Sequence, residues 1–222
     1  VAALNQFGIA ASDSEKVLGS LNRVSKKFAV ESDDLIAAIR RAGGVFAISA
    51  GQFKEPITAL NEFSAIFTAV RSTTRENAET IATGLRTIFS RLQRRGTIDM
   101  LQELGINLTD AKGKFIGLFE SFKKLSTGLK GLVQEGDAIT LSKITEELGG
   151  IRQIGKLIPA IKNFNKAEAA FKEAQRGATE GLGKDVAKGL TPLIVQFEKV
   201  RERFSALIRT ISDSSTFQAL AK

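Results

Sequence analysis

The amino-acid sequence predicts an all-α fold, a helical domain with a small β-hairpin or turn near residues 106–115, flanked by amphipathic, coiled-coil-like helices. The first observation behind this prediction is composition, because the 222 residues hold only three prolines and are rich in Ala, Leu, Ile, Lys and Glu. The second is periodicity, since apolar side chains recur at spacings of three and four residues, which place them on one face of a helix. The third is the distribution of glycine, since glycine residues lie between these periodic segments.

The first predicted element is an amphipathic helix within residues 1–28, with Ser14 as a suitable N-cap. Successive spacings of four, three and four residues relate Val17, Leu21, Val24 and Phe28. This spacing is typical of a coiled-coil seam, so we interpret these residues as a candidate N-terminal seam for helix association. Because the chain starts at Val1 without Met or a signal-peptide pattern, we also expect it to be a piece of a longer protein.

Residues 29–164 form the predicted core domain. Ser32 and the two aspartates after it are a typical N-cap and acidic first turn, and the helix that they open is expected to end at residues 43–44, both glycine. A second helix begins at Pro56 and is apolar over a wide face, so we expect it to be buried. A third begins at a capping-box sequence at residues 73–76. Its apolar face, predicted to be buried, consists of Ile81, Leu85, Ile88, Phe89 and Leu92.

A short helix that ends at Gly105 leads into the predicted hairpin or turn. Residues 106–108 alternate between apolar and polar, and residues 110–113 are Asp-Ala-Lys-Gly, a typical turn sequence. We expect Gly113 to adopt a positive φ, where alanine would add strain. Pro159 is expected to kink or divide the helix that contains it. The further helices are predicted at residues 115–125, 139–148 and 151–164.

A glycine-rich hinge, or a poorly packed helix, is predicted at residues 165–189, and residues 190–222 form the predicted C-terminal heptad helix. The seam of this helix alternates spacings of three and four residues through Leu190, Leu193, Phe197, Val200, Phe204, Leu207 and Ile211. The same pattern is compatible with a helix that packs on its own domain. We favour an intermolecular seam because the glycines separate the helix from the globular part. The bulk of Phe197 and Phe204 suits three strands better than two.

The residues that the sequence lacks restrict its chemistry. It contains no Cys and no His, so we predict no metal site and no cofactor, and the commonest general base is missing. Residues 177–184 resemble a phosphate-binding loop, but Asp185 stands where Ser or Thr is required and no predicted strand precedes the loop. No apolar run approaches the length of a transmembrane helix. We therefore predict that the chain is not an enzyme, has no small-molecule substrate and carries no transmembrane segment in these residues.

The net charge of +8 favours an interaction with an acidic partner. A basic, partner-facing surface is predicted at Arg86, Arg91, Arg94 and Arg95, with Lys112 and Lys114 following. A basic, helical nucleic-acid-binding or scaffold module is an alternative, although no aromatic ladder or base-recognition motif accompanies the charges. A steep loss of DNA affinity with salt would favour nucleic-acid binding. A peptidoglycan hydrolase is a further alternative, but nothing in the sequence selects the two carboxylates, about 5–10 Å apart, that such an enzyme needs.

Two motifs occupy residues 83–115. The first has the form G-T-A-L-R-T-x-F-x-R-L and is matched by Thr83, Gly84, Leu85, Arg86, Thr87, Phe89, Arg91 and Leu92. The second, L-x-x-L-G-I-x-L-x-D-x-x-G-x-F, is matched in register by Leu101, Leu104, Gly105, Ile106, Leu108, Asp110, Gly113 and Phe115. At this spacing, residues 28–164 resemble the core domain of the phage tail tape measure proteins, which also occur in prophages and phage-tail-like particles. The resemblance is weaker at residues 52–56, which replace the small residues usual before the buried helix, and it does not extend to a long repetitive helical region.

The resemblance implies a structural protein of the virion. Tape measure proteins fix tail length during assembly, occupy the lumen of the tail tube and are released before DNA ejection. The resemblance also implies a few copies per tail, expected to form a homotrimer, with partners in the tail tube and in the tail tip or baseplate hub. The expected location is therefore the tube lumen or tip of the virion tail, and the host cytoplasm during assembly. On this hypothesis, residues 83–115 pack a core and present arginines to a partner.

Overall fold

The computed structural model describes residues 2–50, 54–135 and 137–182, and these residues are all-α, as the sequence predicts. The helices are α1 (Ala2–Phe7), α2 (Ser14–Phe28), α3 (Ser32–Ala50), α4 (Pro56–Thr74), α5 (Ala78–Leu92), α6 (Arg95–Glu103), α7 (Leu118–Glu135), α8 (Ala138–Gly149), α9 (Ile154–Lys162) and α10 (Phe164–Glu180). They belong to one compact unit, Val1–Gly181. The predicted C-terminal heptad helix, residues 190–222, lies outside the described residues.

Helix α4 forms the centre of this unit. Pro56 occupies its first turn, where the missing N–H has no helical partner to lose. Every residue from 59 to 70 is buried, mainly against α10, α3 and α9. A helix that is enclosed on all sides must be largely apolar on all sides, and the predicted burial of this helix is confirmed. Glu62 is the charged exception, and its carboxylate is bonded to Lys54.

Phe89 on α5 lies at the centre of an aromatic cluster that joins four helices. Its ring makes edge-to-face contacts with Phe46 of α3, Phe63 of α4 and Phe122 of α7, at centroid distances of 5.2, 6.2 and 5.9 Å. Such contacts add to the free energy of burying apolar area. Because the chain has neither Trp nor Tyr, phenylalanine supplies the aromatic bulk of the core. The face predicted for α5 is confirmed by the complete burial of Ile81, Leu85, Ile88, Phe89 and Leu92.

Helix α10 occupies most of the segment for which a glycine-rich hinge is predicted. Residues 165–180 are helical and pack closely on α2 and α4. The rest of the segment, residues 183–189, lies outside the described residues. The small side chains serve close packing, since the buried positions of the helix include Ala167, Ala170, Ala174 and Gly177. Composition cannot distinguish these roles, because small residues both loosen an exposed chain and allow two helices to approach each other.

Two predicted helix breaks differ in the structure. The glycines at residues 43–44 lie inside α3, and Gly43 faces the Phe7 side chain of α1, where a Cβ atom would lie only 2.9 Å from the ring. This glycine therefore allows α1 to approach α3. Pro159 lies within α9, and the break falls at Asn163, between α9 and α10.

The capping box predicted at residues 73–76 is not formed. Helix α4 continues to Thr74, and Arg75 ends it with a left-handed φ of 56°. Asn77 is the N-cap of α5 instead, and its side chain accepts a hydrogen bond from the backbone N–H of Glu79 at 2.8 Å. Asn is a slightly better N-cap than Thr, and the residues of the predicted box, Thr73 and Thr74, are still part of α4.

The predicted turn between α6 and α7 is present as a single antiparallel bridge between Thr109 and Phe115, with no strand in the part of the chain that the structure describes. Gly113 has a φ of +74°, which confirms the predicted positive value. The Asp110 side chain accepts hydrogen bonds from the backbone N–H groups of Lys112 and Lys114, at 2.8 and 2.9 Å. An isolated short hairpin is marginally stable in water, so these side-chain bonds support the turn.

Candidate functional site

The predicted basic surface contains arginines with internal partners. Arg91 is half-buried and donates hydrogen bonds from one guanidinium nitrogen to the carbonyl oxygens of Glu146 and Glu147, at 3.1 and 3.0 Å. These carbonyl groups lie in the last turn of α8, where few helical N–H donors remain. Glu146 also accepts a hydrogen bond from the backbone N–H of Gly150 at 2.8 Å. Arg95 pairs with Asp99, one helical turn away, at 3.0 Å. Arg91 therefore has a structural role, and Arg95 is partly neutralised.

Arg86 on α5 and Arg94 just before α6 remain open to a partner. Both side chains are exposed, and neither forms an ion pair with the residues that the structure describes. Guanidinium groups of this kind suit carboxylate or phosphate partners. The basic surface is thus smaller than the four arginines of the sequence suggest, and its contact with a partner stays a prediction.

The candidate N-terminal seam lies inside the molecule. Val17, Leu21 and Val24 of α2 have exposed fractions of only 5, 4 and 0%, and Phe28 is half-buried against the same core. Helix α2 packs most extensively on α10, which comes from the other end of the described chain. In this structure the seam is an intramolecular contact between α2 and α10, and a second copy has no access to it.

An ion-pair cluster that no sequence pattern predicts joins α10 to α2. Glu173 is buried, and its carboxylate accepts hydrogen bonds from Lys27 Nζ and Arg23 Nε, both at 2.8 Å. Arg176 donates a third hydrogen bond at 3.1 Å. The bond from Lys27, followed by that from Arg23, lowers the pKa of Glu173 from 4.5 to about 2. No local pattern can reveal this cluster, because 150 positions separate Arg23 from Glu173.

Glu62 is a buried carboxylate at the centre of the unit. Burial raises its pKa, the hydrogen bond from Lys54 opposes the rise, and the charge of Glu120 adds to it. Raised carboxyl pKa values are frequent in catalytic sites, but the Glu62 side chain is only 5% exposed and is held by Lys54, so a substrate has no access to it. Among the described residues, no group of three or more His, Cys, Asp or Glu side chains could hold a metal ion. None of the described helices is both long and apolar enough to cross a bilayer.

The two motifs at residues 83–115 take up structural positions. Gly84 of α5 faces α9 so closely that a Cβ atom would lie 3.1 Å from Lys156 Cγ. Gly105 follows α6 with a φ of +79°, which favours glycine. Leu101 and Leu108 are completely buried on either side of it. The apolar and glycine residues of the motifs therefore have structural roles, in core packing, in a close helix contact and in a turn.

Comparison with known protein families gives a match to part of the chain. The family model described as phage-related minor tail protein matches residues 1–148, which is 148 of the 222 residues. The matched range runs from α1 into the end of α8 and includes both motifs. No solved structure matches the chain.

Proposed function

Because the chain belongs to the phage-related minor tail protein family, we propose that it is a segment of a tape measure protein. Membership of the family gives the chain a structural role in the phage tail, in association with other tail proteins. The finer proposal is that the protein sets tail length, occupies the tail tube or tip during assembly and leaves before DNA ejection. The observation that carries this proposal is the pair of motifs at residues 83–115, whose spacing is that of tape measure proteins.

The proposed partners are the tail tube and the tail tip or baseplate hub, and the proposed role is structural rather than catalytic. The exposed Arg86 and Arg94 are suited to an acidic wall, in keeping with the net charge of +8. The described helices form a compact unit rather than a long rod. We therefore assign the measurement of length to other helical parts of the same polypeptide.

The length function is tested by an insertion in the phage gene that encodes this chain. Ten whole heptads inserted after Gly189 keep the phase of the predicted seam and add about 105 Å of helix, at about 1.5 Å per residue. We expect tails longer by about that amount in electron micrographs of negatively stained particles. A Gly/Ser insertion of equal length is the matched control and should give a shorter or more variable extension, because a flexible tract holds no fixed length. Complete tails of unchanged length in the heptad-insertion phage would refute the tape-measure proposal.

We also propose that residues 190–211, outside the described residues, associate with copies of themselves, most simply as a trimer. The support is the unbroken three-four spacing of the seam and the placement of Phe197 and Phe204 at equivalent heptad positions. Aspartate at both phenylalanine positions would put charge into an apolar seam and should abolish association. The matched control replaces Ile48 and Ile139 by Asp, since these side chains are already 74 and 76% exposed.

Sedimentation of the intact chain and both double variants tests the seam. We expect the wild type and the Ile48→Asp/Ile139→Asp control to be oligomeric, and Phe197→Asp/Phe204→Asp to be monomeric with unchanged helix content. A wild-type chain that stays monomeric well above micromolar concentration would contradict this proposal.

Nucleic-acid binding is the alternative function that the charge supports. Its specific basis is the exposure of Arg86 and Arg94 without an ion pair in the described part. If the chain binds DNA, affinity should fall steeply with salt, and Arg86→Glu/Arg94→Glu should weaken binding and flatten the salt dependence. On the tape-measure proposal, we expect no saturable binding of duplex DNA at physiological salt.

A further inference from the structure

An open apolar groove lies between α7, α8 and α9, outside the seams and the basic surface that the sequence predicts. Its volume is about 210 Å³, and it is lined by Ser126, Leu129, Lys130, Leu141, Ile158, Ile161 and Lys162. Leu129 and Ile161 form its floor and are each only 3% exposed, whereas Leu141 and Ile158 are half-buried along its sides. An apolar cavity of about 150 Å³ is large enough to hold benzene, so this groove has room for one large apolar side chain.

Two lysines flank the groove from opposite helices. Lys130 of α7 and Lys162 of α9 are exposed, and neither forms an ion pair with the described residues. Two other lysines of the same helices do have partners, since Lys123 pairs with Glu168 at 3.0 Å and Lys156 pairs with Glu76 at 2.9 Å. The positive charge beside the apolar floor is therefore left without an internal counterpart.

We propose that this groove docks an acidic amphipathic helix of another tail protein. One large apolar side chain of that helix fills the groove, and carboxylates about one turn before and after it face Lys130 and Lys162. This is the helix-in-groove mode of recognition, in which residues spaced three or four apart anchor one face of a helix. Charge complementarity at the rim sets the choice of partner, and the apolar contact supplies most of the affinity. The inference needs only a protein partner in the tail and does not depend on a length-measuring role.

The probe is a fluorescein-labelled, alanine-based helical peptide with one central Phe and a Glu four residues before and four residues after it. Binding to the full 222-residue chain is measured by fluorescence polarisation. We expect saturable binding that weakens at least tenfold in Lys130→Glu/Lys162→Glu. The same variant should bind the peptide with Lys in place of both Glu residues better than the wild-type chain does, because the charges have been exchanged. Leu141→Glu, which puts a charge into the groove, should also abolish binding.

The matched control for the charge exchange is Lys112→Glu/Lys172→Glu, which changes two exposed lysines outside the groove and should bind like the wild type. Helix content of every variant is checked by circular dichroism. If Leu141→Glu fails to fold, the surface variant Lys130→Glu/Lys162→Glu still decides the outcome. Three results would overturn the proposal: no saturable binding up to millimolar peptide, binding that the Lys130/Lys162 exchange does not alter, or displacement of the peptide by decanoate, which would indicate a site for small amphipathic carboxylates instead.

Discussion

The contact between α2 and α10 predicts that a single methyl group at Gly177 destabilises the protein. At this crossing Gly177 and Gly19 face each other, and a Cβ atom at Gly177 would overlap the Gly19 carbonyl group, lying 2.7 Å from its carbon and 2.9 Å from Ser20 Cα. A Cβ atom at Gly19 would meet the Gly177 carbonyl carbon at 3.1 Å. The obstructing atoms belong to the backbone, so a change of side-chain rotamer cannot relieve the overlap.

Two opposing free energies set the size of the effect of Gly177→Ala. Alanine is favoured over glycine inside a helix by about 1 kcal/mol. Overpacking a close contact costs about 1–3 kcal/mol, and the upper end applies because one whole helix must move. The free energy of unfolding should therefore fall by about 2 kcal/mol. Gly44→Ala is the matched control, because a Cβ atom there, also inside a helix, meets nothing within 4 Å. The free energy of unfolding of Gly44→Ala should rise by about 0.5–1 kcal/mol.

Urea unfolding of the full chain, followed by far-ultraviolet circular dichroism, measures both variants against the wild type. The free energy of unfolding of the double variant Gly19→Ala/Gly177→Ala should fall by less than the sum of the two single decreases. The reason is that moving the two helices apart once relieves both overlaps. If Gly177→Ala is as stable as Gly44→Ala, the backbones of α2 and α10 do not touch, and the packing described for this crossing is wrong.

Three further predictions concern the core, the turn and the ion pairs. Phe89→Ala should lower the free energy of unfolding in urea by about 3–5 kcal/mol, and a loss below about 1 kcal/mol would mean that the aromatic cluster is not packed as described. Gly113→Ala should cost about 1–2 kcal/mol in the same assay because of the φ of +74°, whereas Gly96→Ala, in a helix with no atom near its Cβ position, should cost nothing. The Glu173 carboxylate has a pKa lowered from 4.5 to about 2, so its ion pairs contribute fully above about pH 5 and are lost as the pH falls toward 2. Glu173→Gln should be less stable than the wild type at pH 7, with the difference shrinking over that acid range in thermal unfolding. A difference that is independent of pH would contradict the ion-pair assignment.

Local patterns predicted much of the secondary structure correctly. The three-four spacing at Leu85, Phe89 and Leu92 identified a helix and its buried face, because the side chains on one face of a helix must share one environment. The turn at Gly113 was also predicted, since Asp favours the start of a turn and Gly adopts a positive φ without strain. The start of α5 was not, because Thr and Asn both serve as N-caps and the choice depends on where α4 ends.

Two structural features of the candidate sites were beyond prediction from local sequence. Arg91 belongs to a basic cluster in the sequence, yet the structure places it on the carbonyl end of α8, 55 and 56 positions further along the chain. The apolar groove between α7, α8 and α9 combines residues of three helices, none of which has an unusual pattern by itself. Both features depend on how the helices are arranged relative to one another, and the periodicity within one helix does not specify that arrangement.

The sequence by itself determined that this protein is helical, which face of most helices is apolar and where the chain needs a glycine turn. These properties depend on side chains within a few residues of one another. Only the tertiary structure decided what covers each apolar face. The seam of Val17, Leu21 and Val24 has the spacing of an intermolecular coiled coil, but α10 covers it. The ion pairs of Glu173 and the close contact between Gly19 and Gly177 join α10 to α2. The physical reason is that the hydrophobic effect is non-directional, so an apolar stripe specifies that it must be buried and leaves the choice of partner to packing between distant segments.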